Sequence, residues 1–292
     1  MEAPLATVLI TGTSKGIGRV TALTLARAGH IVFATMRSPA RAAEFAAECQ
    51  VEGLPIYVSV MDVNSDESVS TAVAAVYQTA EVIDVLVNNA GVERSGAIED
   101  LSMDDIRATM ETNYFGAVRC AKAVVPEMRR RRSGCIINVT SIAGRISTSP
   151  LGAYAASKFA LEALSEALAQ ELKTFNVRVA IVQPGIIDTA MAHKLETPST
   201  VSLYPNQRRM AHYFTASLKN PASPLLVAEK IQSIIESRTW QFRHPVGPNA
   251  EPALADRAVT SDEDYIALHS ADDDTWYDAM ERSTGLSIRP RN

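Results

Sequence analysis

The stretch Thr7-Val8-Leu9-Ile10-Thr11-Gly12-Thr13-Ser14-Lys15-Gly16-Ile17-Gly18, TVLITGTSKGIG, decides the fold. It begins as a short apolar run, which reads as a buried strand. Three glycines then fall within eight residues, too many for the interior of a strand or a helix. The segment that follows, RVTALTLARAG, places apolar residues at helical spacing. A glycine-rich turn between strand and helix presents backbone N–H groups at a helix N-terminus. Those groups carry partial positive charge and bind phosphate oxygens. A pyrophosphate must approach the backbone closely, and Cβ atoms block it. The stretch is therefore read as a phosphate-binding turn, with an ordinary strand-to-helix turn as the alternative.

The same alternation continues outward. Short β-branched runs lie at Thr7–Thr11, Ile31–Thr35, Ile56–Val60, Val85–Asn88, Cys135–Thr140 and Val177–Gln183, with helical patterns such as Val20–Ala28 and Asp66–Ala80 between them. Strands that are apolar throughout are covered on both faces. This pattern predicts an α/β fold: one doubly wound parallel sheet with helices on both faces. No linker divides the chain, and residues 1–292 are read as one domain. Beyond Pro184 the pattern weakens. Pro198, Pro205, Pro221 and Pro224 punctuate a loop-rich stretch, with a helix expected at Leu225–Glu236. Residues 188–222 are assigned to a substrate loop. Residues 250–292 form an acidic C-terminal extension, with helix starts expected at Ser261 (SDED) and Ser270 (SADD). There Trp276, Tyr277 and Met280, and also Tyr265 and Leu268, recur at helical spacing. A stripe so narrow must dock on something.

Composition narrows the function. The chain has 292 residues, 47% of them apolar and 21% charged, with a net charge of −5. No nucleic-acid partner is indicated. The run Arg129-Arg130-Arg131-Arg132 is read as a helix C-terminus complementing the dipole. Cys49, Cys120 and Cys135 share no metal-ligand spacing and read as buried or incidental thiols of a reducing compartment. No metal is expected. The first apolar run is short and lacks a basic flank, so no signal peptide is expected. No apolar stretch approaches the ~20 residues that span a bilayer. A cytoplasmic protein is expected.

At this point the sequence resembles the short-chain dehydrogenase/reductase family, in its shorter, single-domain branch. TGTSKGIG matches that branch's cofactor motif, and NNAG at Asn88–Gly91 matches its second signature. YAASK at Tyr154–Lys158 matches the catalytic Tyr-x-x-x-Lys. Ser141 lies upstream by the family interval, Asn113 in ETNYFG matches the helix asparagine, and PGIIDT at Pro184–Thr189 matches the segment that holds the nicotinamide. The resemblance runs from about Ala6 to Met191 and implies a Rossmann-type fold.

The resemblance implies a ketone or aldehyde interconverted with an alcohol by hydride transfer. Tyr154 and Lys158 are four apart, which on a helix puts them on one face. A nearby ammonium lowers a phenol's pKa, so Lys158 is expected to tune Tyr154. By resemblance Lys158 also holds the nicotinamide ribose, Ser141 orients the substrate oxygen, and Asn113 anchors a water in a proton relay. The implied cofactor residues are Gly12, Ser14, Lys15, Gly16, Ile17, Gly18, Arg37, Asp62, Val63, Asn89, Ala90, Gly91, Tyr154, Lys158, Pro184, Gly185, Ile187 and Thr189. Asn88 is also placed at the adenosine side. Asp62 is expected to hold the adenine amino group, a helix cap being the alternative. Met36 stands where an acid would bind the ribose of NAD, and Arg37 and Lys15 supply two cations. NADP(H) is therefore expected.

Substrate contacts are assigned to Ser141, Arg145, Leu151 and Tyr154. Ile142, Ile187 and the Met191–Phe214 segment with His193, Leu195, Tyr204, Met210, Tyr213 and Phe214 complete the candidate pocket. Its apolar, aromatic character favours a lipophilic substrate, aromatic or steroid-like. The resemblance implies pairing of helices around Asp104–Arg131 and Gly152–Phe175 across a two-fold axis, and so a homodimer or homotetramer. The competing readings are a non-catalytic NADP(H)-binding regulator, an NAD-dependent alcohol dehydrogenase, and an epimerase or dehydratase of the family's extended branch. The glycine spacing argues against the last.

Overall fold

A computed structural model of the chain describes residues 5–197, 202–237 and 239–290. Its strands are β1 (Thr7–Thr11), β2 (Ile31–Met36), β3 (Ile56–Val60), β4 (Val85–Asn88), β5 (Gly134–Val139), β6 (Val177–Pro184) and β7 (Arg243–Val246). They form one parallel sheet in the order β3-β2-β1-β4-β5-β6-β7. From β1 the chain winds outward to β3, then returns and winds the other way from β4. That reversal opens a crevice at the carboxyl ends of β1 and β4, where ligands bind in such sheets.

The helices are α1 (Gly16–Arg27), α2 (Pro39–Glu52), α3 (Asp66–Ala80), α4 (Met103–Met110), α5 (Gly116–Arg131), α6 (Gly152–Lys173), α7 (Ala190–His193), α8 (Pro205–Ser217), α9 (Pro224–Glu236), α10 (Ala250–Val259), α11 (Asp262–Ser270) and α12 (Asp273–Thr284). The alternation along β1 shows how they cover the sheet. Val8 and Ile10 face a core that holds Leu25 of α1, Phe45 of α2 and Ile231 of α9. Leu9 faces a core that holds Val73 of α3, Val124 of α5 and Leu172 of α6. All three cysteines are free and buried. Arg129–Arg131 form the last turn of α5, with Arg132 in the left-handed region at its end.

Several boundaries differ from the sequence reading. α1 begins at Gly16, not Val20, because the glycines themselves form its first turn. Residues 205–217 are helical, not loop. Pro205 and Pro224 open α8 and α9, a position that lacks a partner for an N–H in any case; Pro198 lies outside the described residues. The C-terminal extension holds three helices, not two. Ser261 caps α11 as expected, but Ser270 is its last residue, and Asp272 caps α12 through the Thr275 N–H.

Within the extension, α12 docks on α8. Trp276 and Tyr277 of α12 are buried against Ala216, with Tyr213, Met280 and Leu286 around them. Asp273 pairs with both Arg208 and Arg209, the latter at 2.8 Å. Further along, the Tyr265 hydroxyl lies 2.5 Å from Thr148 Oγ1, on the loop that follows Ser141.

Candidate active site

The glycine turn fills the floor of the crevice. Gly12 and Gly16 have φ of 72° and 59°, a region costly for any residue with a Cβ. A Cβ on Gly12 would stand 2.7 Å from the Ala90 Cα, and one on Gly18 would stand 2.5 Å from the Gly12 carbonyl oxygen. For these two glycines the close neighbour is the protein itself. The NNAG segment is laced onto the turn: the N–H groups of Asn89 and Ala90 donate to Thr11 Oγ1 at 3.0 and 2.9 Å. The Asn89 carboxamide donates to the carbonyls of Thr11 and Gly12 at 2.9 and 3.1 Å. Asn88 does not line the crevice. Its buried side chain donates to Asn138 at 2.9 Å and ties β4 to β5.

The N-terminus of α1 remains open to an anion. Lys15 stands at its N-cap and makes no side-chain cap, and the first turn holds no acid. The free N–H groups of Gly16, Ile17 and Gly18 fit a phosphate. Thr189 faces this turn; a Cβ on Gly16 would lie 3.4 Å from its methyl group. Lys15, beside Ser14, and Arg37 at the end of β2 are exposed and form no ion pair with a described carboxylate, whereas Met36 is buried. Two unpaired cations flanking an uncapped helix start fit a phosphorylated ribose. Asp62 does not cap α3: Ser65 does, accepting from the Ser68 N–H, while Asp62 Oδ1 accepts from the Asn64 N–H at 3.0 Å. Val63 packs under Gly116, where a Cβ would stand 2.8 Å from its methyl group.

Across the crevice lie the four expected catalytic side chains. Ser141, two residues beyond β5, caps a short 3-10 turn, Ile142–Gly144, by accepting from the Ala143 N–H at 3.1 Å. Tyr154 and Lys158 share one face of α6. Lys158 Nζ lies 5.7 Å from the Tyr154 ring centre and donates to the Val139 carbonyl at 3.0 Å. Asn113 sits in a π-helical turn, Glu111–Phe115, between α4 and α5, an irregularity common at functional sites. Its carboxamide clamps Val92, accepting from the N–H at 2.8 Å and donating to the carbonyl at 2.9 Å. It also donates to Ser157 Oγ at 2.9 Å. Lys158 and Asn113 both face Gly91, where a Cβ would come within 3.7 Å of Nζ and 3.3 Å of Asn113 Oδ1.

The electrostatics depart from expectation. Burial pushes the Tyr154 phenol up to about 12, and the Ser141 hydroxyl facing it opposes this only partly. Burial pushes the Lys158 ammonium down to about 8, against the pull of Glu162. The expected lowering of Tyr154 by Lys158 is not seen, because desolvation dominates both groups. The tyrosine is held as a neutral acid, the form that donates a proton.

Other expected residues scatter. Leu151 packs with Ala192, Leu195, Met210, Phe214 and Leu218, so the segment after β6 does close over the Tyr154 helix. Ile142 is half-buried and Arg145 exposed. The Ile187 side chain turns away from the cleft into the main core beside Val246. His193 is exposed and paired with Asp188 at 2.8 Å and with Glu196. Tyr204 is exposed and donates to Glu99 at 2.5 Å. Neither belongs to an apolar pocket.

Three contributors are absent from the sequence reading. Glu162, buried one turn beyond Lys158, accepts from Thr140 at 2.8 Å, Gln183 at 3.0 Å and Arg243 at 3.0 Å. Its spacing was the available signal: Tyr154, Lys158 and Glu162 are successive fours on one helix face. Asn249, before α10, accepts from the Ile186 N–H at 3.3 Å and leaves no room for a side chain at Gly185, directly after Pro184. Glu93 lies beside the clamped Val92, and its charge is felt at Tyr154.

A doubly wound sheet with this crevice and this Ser-Tyr-Lys-Asn grouping defines a nicotinamide-dependent oxidoreductase. Residues 6–199 match the family model described as short chain dehydrogenase. The chain belongs to the short-chain dehydrogenase family. It is 36% identical over 256 residues to a 3-ketodihydrosphingosine reductase of Bacteroides thetaiotaomicron, covering 85% of this chain and 90% of that one. It is 38% identical over 276 residues to retinol dehydrogenase 8 of Homo sapiens, covering 89% and 88%. A short-chain dehydrogenase of Streptomyces avermitilis superposes with a TM-score of 0.77 at 27% identity, covering 96% of this chain and 99% of that one.

Proposed function

We propose that the protein is an NADPH-dependent carbonyl reductase acting on a lipophilic ketone or aldehyde, with the alcohol oxidation as its reverse. The observation that carries this reading is the half-buried, neutral Tyr154 facing Ser141, across the crevice from an uncapped helix start. The dinucleotide phosphates fit the N–H groups at Gly16–Gly18. Arg37 and Lys15 accept the 2′-phosphate by charge-assisted hydrogen bonds. Asp62, with its Oδ1 already occupied by Asn64, has a second oxygen for the adenine amino group. Val63, Ala90 and Gly91 line the adenosine side, and Pro184, Gly185, Ile187 and Thr189 the nicotinamide side, Ile187 by its backbone alone. When bound, the cofactor supplies the hydride.

The remaining chemistry belongs to this chain. Ser141 donates to the substrate oxygen and fixes its position. Tyr154 delivers the proton to that oxygen as general acid. Lys158, held by Val139 on its inner side, is placed to contact the ribose. Asn113 fixes the loop over Lys158 and anchors the water that restores the proton.

The printed substrates of the two relatives, a 3-keto sphingoid base and retinol, share a long apolar body with one carbon–oxygen centre. Leu151, Met210 and Phe214 offer a matching wall, with Arg145 at its rim. The three reduced, buried thiols suit the cytoplasm. Met103, Phe115 and Phe159 expose apolar surface on the helices expected to pair across a two-fold axis, supporting a homodimer or homotetramer. The test is oxidation of NADPH, and separately NADH, against a carbonyl panel graded in length. Turnover with NADPH that rises with apolar length supports the reading. Turnover with neither cofactor favours the regulatory alternative.

A further inference from the structure

Glu162 is a buried charge that the chemistry above does not use. It lies on α6 one turn beyond Lys158, and 5% of its side chain is exposed. Three groups converge on its carboxylate. Thr140 and Gln183 donate to Oε1 at 2.8 and 3.0 Å, and Arg243 Nε donates to Oε2 at 3.0 Å. All three are donors, so the pocket is built for an anion. Thr140 directly precedes Ser141, and Gln183 directly precedes Pro184 and Gly185. The same strand end holds Lys158, whose Nζ donates to the carbonyl of Val139, the residue before Thr140. Ammonium and carboxylate are thus tied to consecutive residues, from side chains one helical turn apart whose Cβ atoms stand about 5–6 Å from each other. Gly144 covers both: a Cβ there would lie 2.9 Å from Glu162 Cγ and 3.2 Å from the Lys158 carbonyl oxygen. Arg243 also pairs with Glu166 at 3.1 Å, so one guanidinium serves two carboxylates. Lys158 supplies the missing positive charge, and the Glu162 charge opposes the desolvation of that ammonium. The other neighbours of Lys158, Tyr154 and Asn113, are neutral. Charges on the elements packed against α6 pair elsewhere: Asp104 with Arg107, Asp105 with Arg94, and Glu111 with Arg119.

We infer that Glu162 is a positioning residue for the reaction: its carboxylate is the counter-charge that keeps Lys158 cationic inside the protein, while its bonds to Thr140 and Gln183 hold the residues next to Ser141 and to the nicotinamide segment. This rests on the reading of Lys158 as partner of Tyr154 and of the cofactor ribose. Desolvation penalises the charged form of an enclosed amine, so without a nearby anion Lys158 gives up its proton more readily. A neutral amine exerts no pull on Tyr154 and makes weaker hydrogen bonds to a ribose than an ammonium does. The alkaline limit of turnover is then set from one helical turn away, by a side chain that touches neither substrate nor cofactor.

The test follows the titration of Lys158 by NMR in full-length protein carrying isotope-labelled lysine, the signal being assigned by its loss in Lys158→Met. In Glu162→Gln, which keeps the shape and removes the charge, the Lys158 midpoint should fall from about 8 by about one pH unit or more. That is the order expected for two unit charges about 6 Å apart at an effective dielectric of about 20. Glu162→Asp keeps the charge and should return the midpoint most of the way. Arg243→Gln removes a cation from the same cluster and should raise the midpoint, the opposite direction; a glutamate that only braces the strand ends would leave Lys158 unmoved in all three. Glu162→Gln combined with Arg243→Gln leaves no unpaired buried charge at that spot, and carries the test if the single variant does not fold. The alkaline limit of NADPH turnover with a long-chain ketone should move down together with the Lys158 midpoint. A Lys158 midpoint that stays in place or rises on loss of the Glu162 charge, or a limit of turnover that does not follow it, overturns the inference. The underlying reading is scored separately: absence of wild-type turnover with NADPH would sink that reading, while the NMR titration still reports the pairing of Lys158 with Glu162.

Discussion

Lys158 shows what the site costs a single residue. An ammonium enclosed in the protein is held near 8, against 10.5 when free. Between these values the unfolded chain binds more protons than the folded one, so stability rises with pH there. The penalty is full below pH 8 and fades toward pH 10.5. It amounts to about 3 kcal/mol by the linkage relation, less about 1 kcal/mol for the hydrogen bond to Val139. Lys158→Met should therefore abolish turnover yet raise the melting temperature of the cofactor-free protein at pH 7, with a smaller gain at pH 9.5. A lower melting temperature at pH 7 contradicts that account. At this scale the four side chains proposed as catalytic were legible because each carries a fixed interval. Glu93 and Glu162 were not, since one loop acid or helix acid looks like any other until the fold turns it inward. The depressed Lys158 and elevated Tyr154 were also illegible, because desolvation depends on what the rest of the chain packs around them.

Elements carry cofactor choice. β2 ends by burying Met36 and presenting Arg37, and the turn before α1 presents Lys15. A charge-assisted bond from Arg37 to a phosphate is worth about 1.5–3 kcal/mol. Arg37→Ala should raise the dissociation constant for NADPH about tenfold or more and leave NADH nearly unchanged, as read by fluorescence titration. A wild-type protein that binds NADH more tightly than NADPH contradicts the assignment. The first six strands were legible as apolar runs. β7 was not: Arg243-His244-Pro245-Val246 has one apolar side chain among polar and proline neighbours, and a proline is tolerated only because this is the sheet edge. α8 was hidden by the prolines around it, one of which starts it. The glycine turn was legible, but part of its cause was not. Gly12 and Gly18 are small because the Asn89-Ala90 segment presses on them, a contact between residues some 70 positions apart in sequence.

At the scale of the whole molecule, the C-terminal extension packs α12 against α8. The narrow stripe of Trp276 and Tyr277 announced docking, and α8 is the partner. Trp276 is 2% exposed. Trp276→Ala should cost about 3–5 kcal/mol. It should also weaken the Michaelis constant for long ketones more than for short ones, because α8 loses its support. Unchanged melting and kinetics would separate the extension from both stability and the cleft. All of this depends on the protein transferring a hydride to a carbonyl with Tyr154 as the acid. The most direct measurement is NADPH oxidation by Tyr154→Phe beside wild type on one long-chain ketone, with NADPH affinity titrated in parallel. General acid catalysis of this kind is worth about 10²–10⁴-fold, so turnover should fall by that factor or more while NADPH affinity stays within a few-fold. Near-normal turnover in the phenylalanine variant would contradict the account.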